Sequence, residues 1–404
     1  MAEAVLPELQ PPIPQFTPAE SAEFAKKRLA ARTALDTLMP PSDKKYTNWI
    51  RQRVVERFQD KPIGTVLPEF EIRQADYDTG LKTIAIPLSK AITDWPDKVA
   101  PYLMGDALSP NEHYFSALSG SLYAEGAVIL VPPGVQAEID LTYALEDGKL
   151  NAARTIVIIS EQASVEVFER SANPTEHPIL ESSVFALGVE VYVQGNGQLR
   201  YNALQDWPES VSQFATYRGL VERDARLDWL IGSFGGDFSQ LRVESALAAE
   251  GAESDVHAIY FGEGPRHFDQ ELIANHLVGQ TTSDTYARGV VGEGAKAVYR
   301  GMIKIKRGAH GSAADQNGHA MLLDNDSHAD AIPGLEIDAD DVTAGHGATV
   351  GQVDEEQLFY LMARGIPREA AKRMIIRGFF ERQLGKVKSK STRDAFWQTI
   401  ERRL

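Results

Sequence analysis

Between residues 291 and 350 the chain reads VGEGAKA (291–297), AHGSAA (309–314), SHADAI (327–332) and GHGATV (345–350). These four clusters of small residues centre near positions 292, 310, 328 and 346, a spacing of 18 residues each time. Strand-like pieces of similar offset lie between them, at 299–306, 319–323 and 335–342. Stacked coils require a fixed period of this kind, because equivalent positions then lie one above another. The same texture begins near Ser121. Val128-Ile129-Leu130-Val131, Thr155-Ile156-Val157-Ile158-Ile159 and Val189-Glu190-Val191-Tyr192-Val193 stand there between glycine-containing turns. Short β-branched runs without long helical patterns between them predict a mainly β repeat architecture.

Outside this region the pattern turns helical. Pro7, Pro11, Pro12 and Pro14 predict an extended arm over residues 1–15. Thr17-Pro18-Ala19-Glu20 opens a helix, with Thr17 as cap, Pro18 at the first helical position and Glu20 completing a capping box. Phe24, Ala31, Leu35 and Leu38 form its apolar stripe, and Pro40-Pro41 ends it. A second helical stretch is expected at 48–58, strands within 65–90 around Asp78-Thr79-Gly80, and helical pieces at 94–104 and 111–118. After Gly351, Asp354-Glu355-Glu356 makes an acidic first turn and Leu358, Leu361 and Met362 give helical spacing. Gly365-Ile366-Pro367 breaks that helix, and a second runs from Arg368 through Ala371, Ile375 and Phe379. Helices at both ends would cover the apolar column and open strand edges of a solenoid. The expected division is an N-terminal arm and helical region at 1–120, a β core at 121–347 and a C-terminal helical region at 348–404.

The 404 residues are 43% hydrophobic and 24% charged, an ordinary globular composition. No stretch approaches the ~18 uninterrupted apolar residues of a membrane span, and the first residues show neither a basic region nor an apolar one, so a cytoplasmic address is expected. A net charge of −16 argues against nucleic-acid binding. The basic residues near the end, Arg382, Lys386, Lys388, Lys390, Arg393, Arg402 and Arg403, read as a solvated helix face. There is no cysteine, so the chain alone has no thiolate with which to hold an iron–sulfur cluster. Phosphate-loop, dinucleotide-fingerprint and His-Glu-x-x-His patterns are all absent from it. Asp324 to Asp330 resembles a calcium loop but has Ala329 where glycine is needed and Leu335 in place of the twelfth-position glutamate.

His310, His328 and His346 follow the 18-residue spacing. With 18 residues per coil they would stack as a column of imidazoles; the plainer alternative is hydrogen-bonded turn histidines. Phe359, Tyr360 and Leu361 form a run too apolar for one helix face to bury against the chain's own core.

The string DDVTAGHGATVGQVDEEQLFYLMARGI at 340–366 resembles the SufB/SufD family of iron–sulfur cluster assembly proteins. LYAEGAVILVPPGVQAE at 122–138 and MPPSDKKYTNW at 39–49 resemble it more weakly. Length and the missing cysteine favour the SufD side of the family. The resemblance implies a right-handed parallel β-helix core flanked by N- and C-terminal helical regions. It further implies a non-catalytic scaffold in a complex with an ATPase, SufC, bound through the C-terminal helices, and with SufB, bound through the β-helix. Phe359, Tyr360, Leu361, Gly365 and Ile366 are the expected partner-binding residues, and His346 the expected metal ligand at the SufB interface. No cofactor is expected to stay on the chain alone; iron or a cluster would be shared transiently with SufB. Some SufD-like chains carry a cysteine two residues before that histidine, where this one has Ala344. Two alternatives stand beside this reading: a self-associating homodimer acting without SufB, and a β-helix polysaccharide lyase.

Overall fold

A computed structural model describes residues 22–38, 54–58, 60–75, 84–172 and 178–404. The proline arm, the Thr17 cap, the Pro40-Pro41 break, the 39–49 match, most of the 48–58 stretch and the turn at 78–80 lie outside the described residues. The first elements are α1 (Ala22–Thr37), β1 (Ile63–Gly64), β2 (Leu67–Ala75), β3 (Ile84–Pro87), α2 (Leu88–Asp94), α3 (Pro96–Val99) and α4 (Tyr114–Leu122). The expected helix at 94–104 is shorter than the pattern suggested. Pro96 restarts the chain after α2, and only one turn follows. His113 caps α4, its Nδ1 accepting from Ser116 N.

Among the described residues sixteen strands follow. They are β4 (Glu125–Val131), β5 (Gln136–Ala144), β6 (Leu150–Ile159), β7 (Ser164–Ala172), β8 (Ser183–Val193) and β9 (Gln198–Asp206). Next come β10 (Val211–Val221), β11 (Arg226–Ser233), β12 (Phe238–Leu247), β13 (Glu253–Gly262) and β14 (His267–His276). The last are β15 (Thr282–Val291), β16 (Lys296–Ile305), β17 (Ala313–Leu322), β18 (His328–Ile337) and β19 (Thr343–Gln352). Even-numbered strands from β18 back to β4 stack in one sheet, with β3 at its edge; odd-numbered strands from β19 back to β5 stack in the other, with β2 at its edge. Among the described residues pairing is parallel from β4 and β5 onward and antiparallel only where β3 meets β4 and β2 meets β5. This is a parallel β-helix with two sheets.

One coil therefore spans two strands. Register partners His267↔Lys296 and Lys296↔His328 place equivalent positions 29 and 32 residues apart. The 18-residue period is thus not the coil. His310 lies between β16 and β17, His328 opens β18 and His346 lies within β19, in the other sheet, so the three imidazoles do not stack. The repeated small residues mark turns and strand starts at the first three clusters, and at 345–350 they fill the middle of β19. At the turn after β15, Glu293 and Gly294 both have positive φ (56° and 81°) and Ala295 N donates to Gly292 O, a tight reversal that glycine at the second position makes inexpensive.

Side chains alternate between a lumen and two outer faces. The lumen holds Val157, Val191, Tyr201, Tyr217, Leu227, Trp229, Leu241 and Tyr299, all buried. Outside the even-strand sheet, Leu150, Ala152, Val184, Ala186, Phe214 and Phe238 meet α1 and α4 through Ala34, Leu35, Tyr114, Phe115 and Leu118. Phe24, Ala31 and Leu35, three of the four residues in the expected stripe, are buried. Three C-terminal helices follow: α5 (Glu355–Ala363), α6 (Arg368–Leu384) and α7 (Lys390–Glu401). Ile376, Phe380, Leu384, Phe396 and Ile400 from α6 and α7 pack on Phe168, Leu204, Leu230, Ile259 and Phe261 of the odd-strand sheet and on Phe234 just after β11. The helices thus clad the two faces, and the last rung stays open at β18 and β19, the terminal strands of their sheets.

Candidate functional site

The open rung is where His346, the residue the sequence singles out, is found. In β19 the register aligns His346 with Gln316, and β17 aligns Gln316 with Thr285 below. That column continues through Val256, Trp229 and Tyr201, all buried in the lumen. His346 therefore belongs to the inward face, and it is exposed because no further strand covers the rung. Gly345 and Gly347 alternate to the outside. A Cβ on either would approach Asp315 Oδ1 at 2.9 Å or Asn317 Oδ1 at 2.8 Å, the ends of the side chains beside them on β17. On the same inward parity, Leu335 and Ile337 of β18 and Val350 of β19 are 36%, 40% and 41% exposed. A histidine thus stands in an apolar rim at the lumen mouth, between two unpaired strand edges. Ala344 is half-buried against the cluster around Ile303 and Ile305.

The other histidines take local partners. His310 Nδ1 lies 2.8 Å from Asp340 O, and His328 Nε2 3.1 Å from Asp330 Oδ1. His276 is buried between Thr281 Oγ1 (2.7 Å) and Ser283 Oγ (2.9 Å), and burial pushes its ring down to about 4. His267 stacks on Phe238. Among the described residues no three histidines, cysteines or carboxylates converge to hold a metal. The calcium-like stretch is a turn: Asp324 accepts hydrogen bonds from the backbone of Glu293, Asp326 and Ser327.

The five expected partner-binding residues divide. Asp354 caps α5, accepting from Glu356 N and Gln357 N. Gly365, at φ 87°, ends it in a Schellman turn: Gly365 N donates to Met362 O and Ile366 N to Leu361 O. Leu361 and Ile366 turn toward Leu358 and Ala371 and are partly buried. Phe359 and Tyr360 stay outside at 73% and 59% exposure, joined by Met362 at 42%. Arg364 lies over the Tyr360 ring at 5.3 Å. Of the apolar run, the aromatic pair is exposed and Leu361 is partly buried. The sequence could not separate them because the helix phase depends on how α5 leans on Val353 and Ala371.

The fold and this mouth define a two-sheet β-solenoid with helical cladding and no thiol. A profile of the SUF system FeS cluster assembly SufBD core domain matches residues 142–379, and the chain belongs to this SufB/SufD family. It is 30% identical over 319 residues to the iron–sulfur cluster assembly protein SufD of Bacillus subtilis, covering 78% of this chain and 72% of that protein. Against SufB of the same organism it is 32% identical over 277 residues, 68% of this chain but 59% of the relative. A Mycobacterium leprae SufBD family protein is 32% identical over 267 residues, 30% of its own length. The chain thus matches both branches, and the SufD alignment covers more of it. Among the described residues no helix is long and apolar enough to cross a membrane.

Proposed function

We propose that this chain is a non-catalytic cytoplasmic scaffold in iron–sulfur cluster assembly. In this reading it joins a SufB-like subunit through the open rung and a SufC-like ATPase through the aromatic surface of α5. In this reading the described helices within 1–120 clad the assembly core at 121–347, and 348–404 is the ATPase platform. The observation that carries the reading is the lumen mouth. Two parallel edge strands with free hydrogen-bonding rows and an apolar rim suit a second sheet end better than water. Iron or a cluster is the cargo. Lacking thiolates, the chain offers His346 as one ligand and the SufB-like subunit supplies the rest; imidazole replaces thiolate on iron in Rieske centres.

His346→Ala tests the cargo role. One exposed side chain contributes little to a large interface, so the complex purified from cells keeps its yield. Its iron retention falls by about tenfold or more, the scale on which even outer-shell partners of a metal act. Unchanged iron at unchanged yield would remove His346 from the metal path.

Docking is tested with Phe359→Ser combined with Tyr360→Ser, since deleting α6 and α7 would uncover Phe234 and Phe261 and confound the result. Aromatic anchors that lose about 2 kcal/mol or more on truncation translate into at least ~30-fold weaker ATPase binding in calorimetry. Wild-type affinity in the double variant would place the ATPase elsewhere.

A further inference from the structure

A cavity of about 350 Å³ lies between the outer face of the odd-strand sheet and the α6–α7 connection. Two of its lining residues are buried with an atom lacking any hydrogen-bond partner. His257, 7% exposed, leaves Nδ1 unmet, and Gln383, 2% exposed, leaves Oε1 unmet. A buried polar atom left without a hydrogen-bond partner is costly to keep. Two on one cavity wall, from a strand and a helix distant in sequence, indicate a space shaped for an occupant.

The charges around the cavity say which kind. Its carboxylates are already engaged. Arg226 reaches Asp228 at 2.8 Å and Asp255 at 2.5 Å, and Glu166 accepts from Asn202 Nδ2 at 3.2 Å. The cations are less committed. Arg200 reaches Asp228 only at 3.9 Å, and Lys386 rests on the Tyr286 ring at 5.2 Å. Neither Lys386 nor Lys388 has a carboxylate within 4.0 Å among the described residues. Burial, reinforced by Lys386 and Arg226, holds His257 down to about 3, so its ring is neutral and one nitrogen is a plain N–H donor. His257 is fixed by stacking on Tyr286, 5.2 Å away and 6° from parallel. Gln383 offers an amide whose two ends can exchange to suit a donor or an acceptor. Leu230 and Val387 supply the apolar part of the wall. Metal binding is disfavoured, because Arg226 already occupies Asp228 and Asp255 and leaves Glu166 as the one lining acid without an Arg226 contact.

We infer that this cavity binds a small organic oxyanion, its head group held by Arg200, Lys386, Lys388 and His257 and its apolar body lying on Leu230 and Val387. The occupant would bridge the β-helix and the C-terminal helices, so its binding would stabilise their docking. The inference is independent of the partner reading, since it concerns the chain alone.

The test is calorimetric titration of the full chain with phenyl phosphate and with inorganic phosphate, at ionic strength fixed by chloride. Phenyl phosphate is expected to saturate with a Kd of about 1 mM or below, and inorganic phosphate, lacking the apolar body, to bind more weakly. Lys388→Ala, at an exposed position, should weaken phenyl phosphate by about fivefold. His257→Gln, checked for an unchanged melting curve, should weaken it by about tenfold. No saturation up to ~20 mM, the result for a cavity filled by water alone, overturns the inference. So does unchanged affinity in the Lys388 variant.

Discussion

Arg154→Ala is expected to destabilise the fold by about 3–5 kcal/mol, the usual cost of leaving one member of a buried ion pair alone. Arg154 and Glu190 are both 0% exposed and meet at 2.5 Å. The guanidinium also donates to Leu108 O at 3.0 Å, and the carboxylate accepts from Met104 N at 2.9 Å and Gly105 N at 3.2 Å. The pair thus pins the loop before α4 to the even-strand sheet. Burial pushes the Glu190 pKa up while Arg154 and the backbone donors oppose it. Without Arg154 the carboxylate must take a proton or open the loop. Gly188, the register partner of Arg154, is part of the arrangement, because a Cβ there would lie 2.5 Å from the guanidinium. Urea denaturation of Arg154→Ala measures the cost. A loss below about 1 kcal/mol would show that the pair is no anchor.

The second large effect depends on pH. Glu169 is buried in the lumen, where Tyr201 and Tyr217 each donate to it at 2.6 Å, one from a neighbouring strand and one from across the lumen. Burial outweighs those two hydrogen bonds and pushes its pKa from 4.5 up to about 7. Unfolded, the same carboxyl gives up its proton near 4.5. Between these values the folded chain holds a proton that the unfolded chain has lost. The contribution to stability is therefore complete below 4.5, declines as pH rises, and is gone above about 7. The shift corresponds to roughly 3 kcal/mol across that window. Glu169→Gln keeps the shape and removes the titration, so urea midpoints measured from pH 5 to pH 8 should lose that part of their slope. An identical slope in the variant would assign the pH dependence to other groups.

Much of the architecture could be read from the chain. The runs at 128–131, 155–159 and 189–193 lie in β4, β6 and β8, where burial of nearly every residue leaves an unbroken β-branched signature. The last strands are harder to see. β17 and β19 are rich in Ala and Gly, with little β propensity, and are held by pairing to their neighbours. The repeat length was misread because each coil contains two half-coils of similar texture, so small residues recur at intervals shorter than a coil. His346 was legible as a candidate through its neighbouring glycines and family motif. Its inward direction was not, since that depends on a register with β17. The cavity at His257 was invisible for a plainer reason: Gln383 and Lys386 reach it only after α6 has docked.

The same register governs which changes of length the chain tolerates. Strands β12 to β19 are all ten residues long, although successive coils differ in length, so the differences fall entirely in the turns. A residue inserted within a strand would exchange lumen and surface for everything beyond it. One inserted in a turn leaves every pairing intact. Changes of length are thereby accommodated at the rims of the helix, while within the walls an added residue reverses the facing of the strand that carries it.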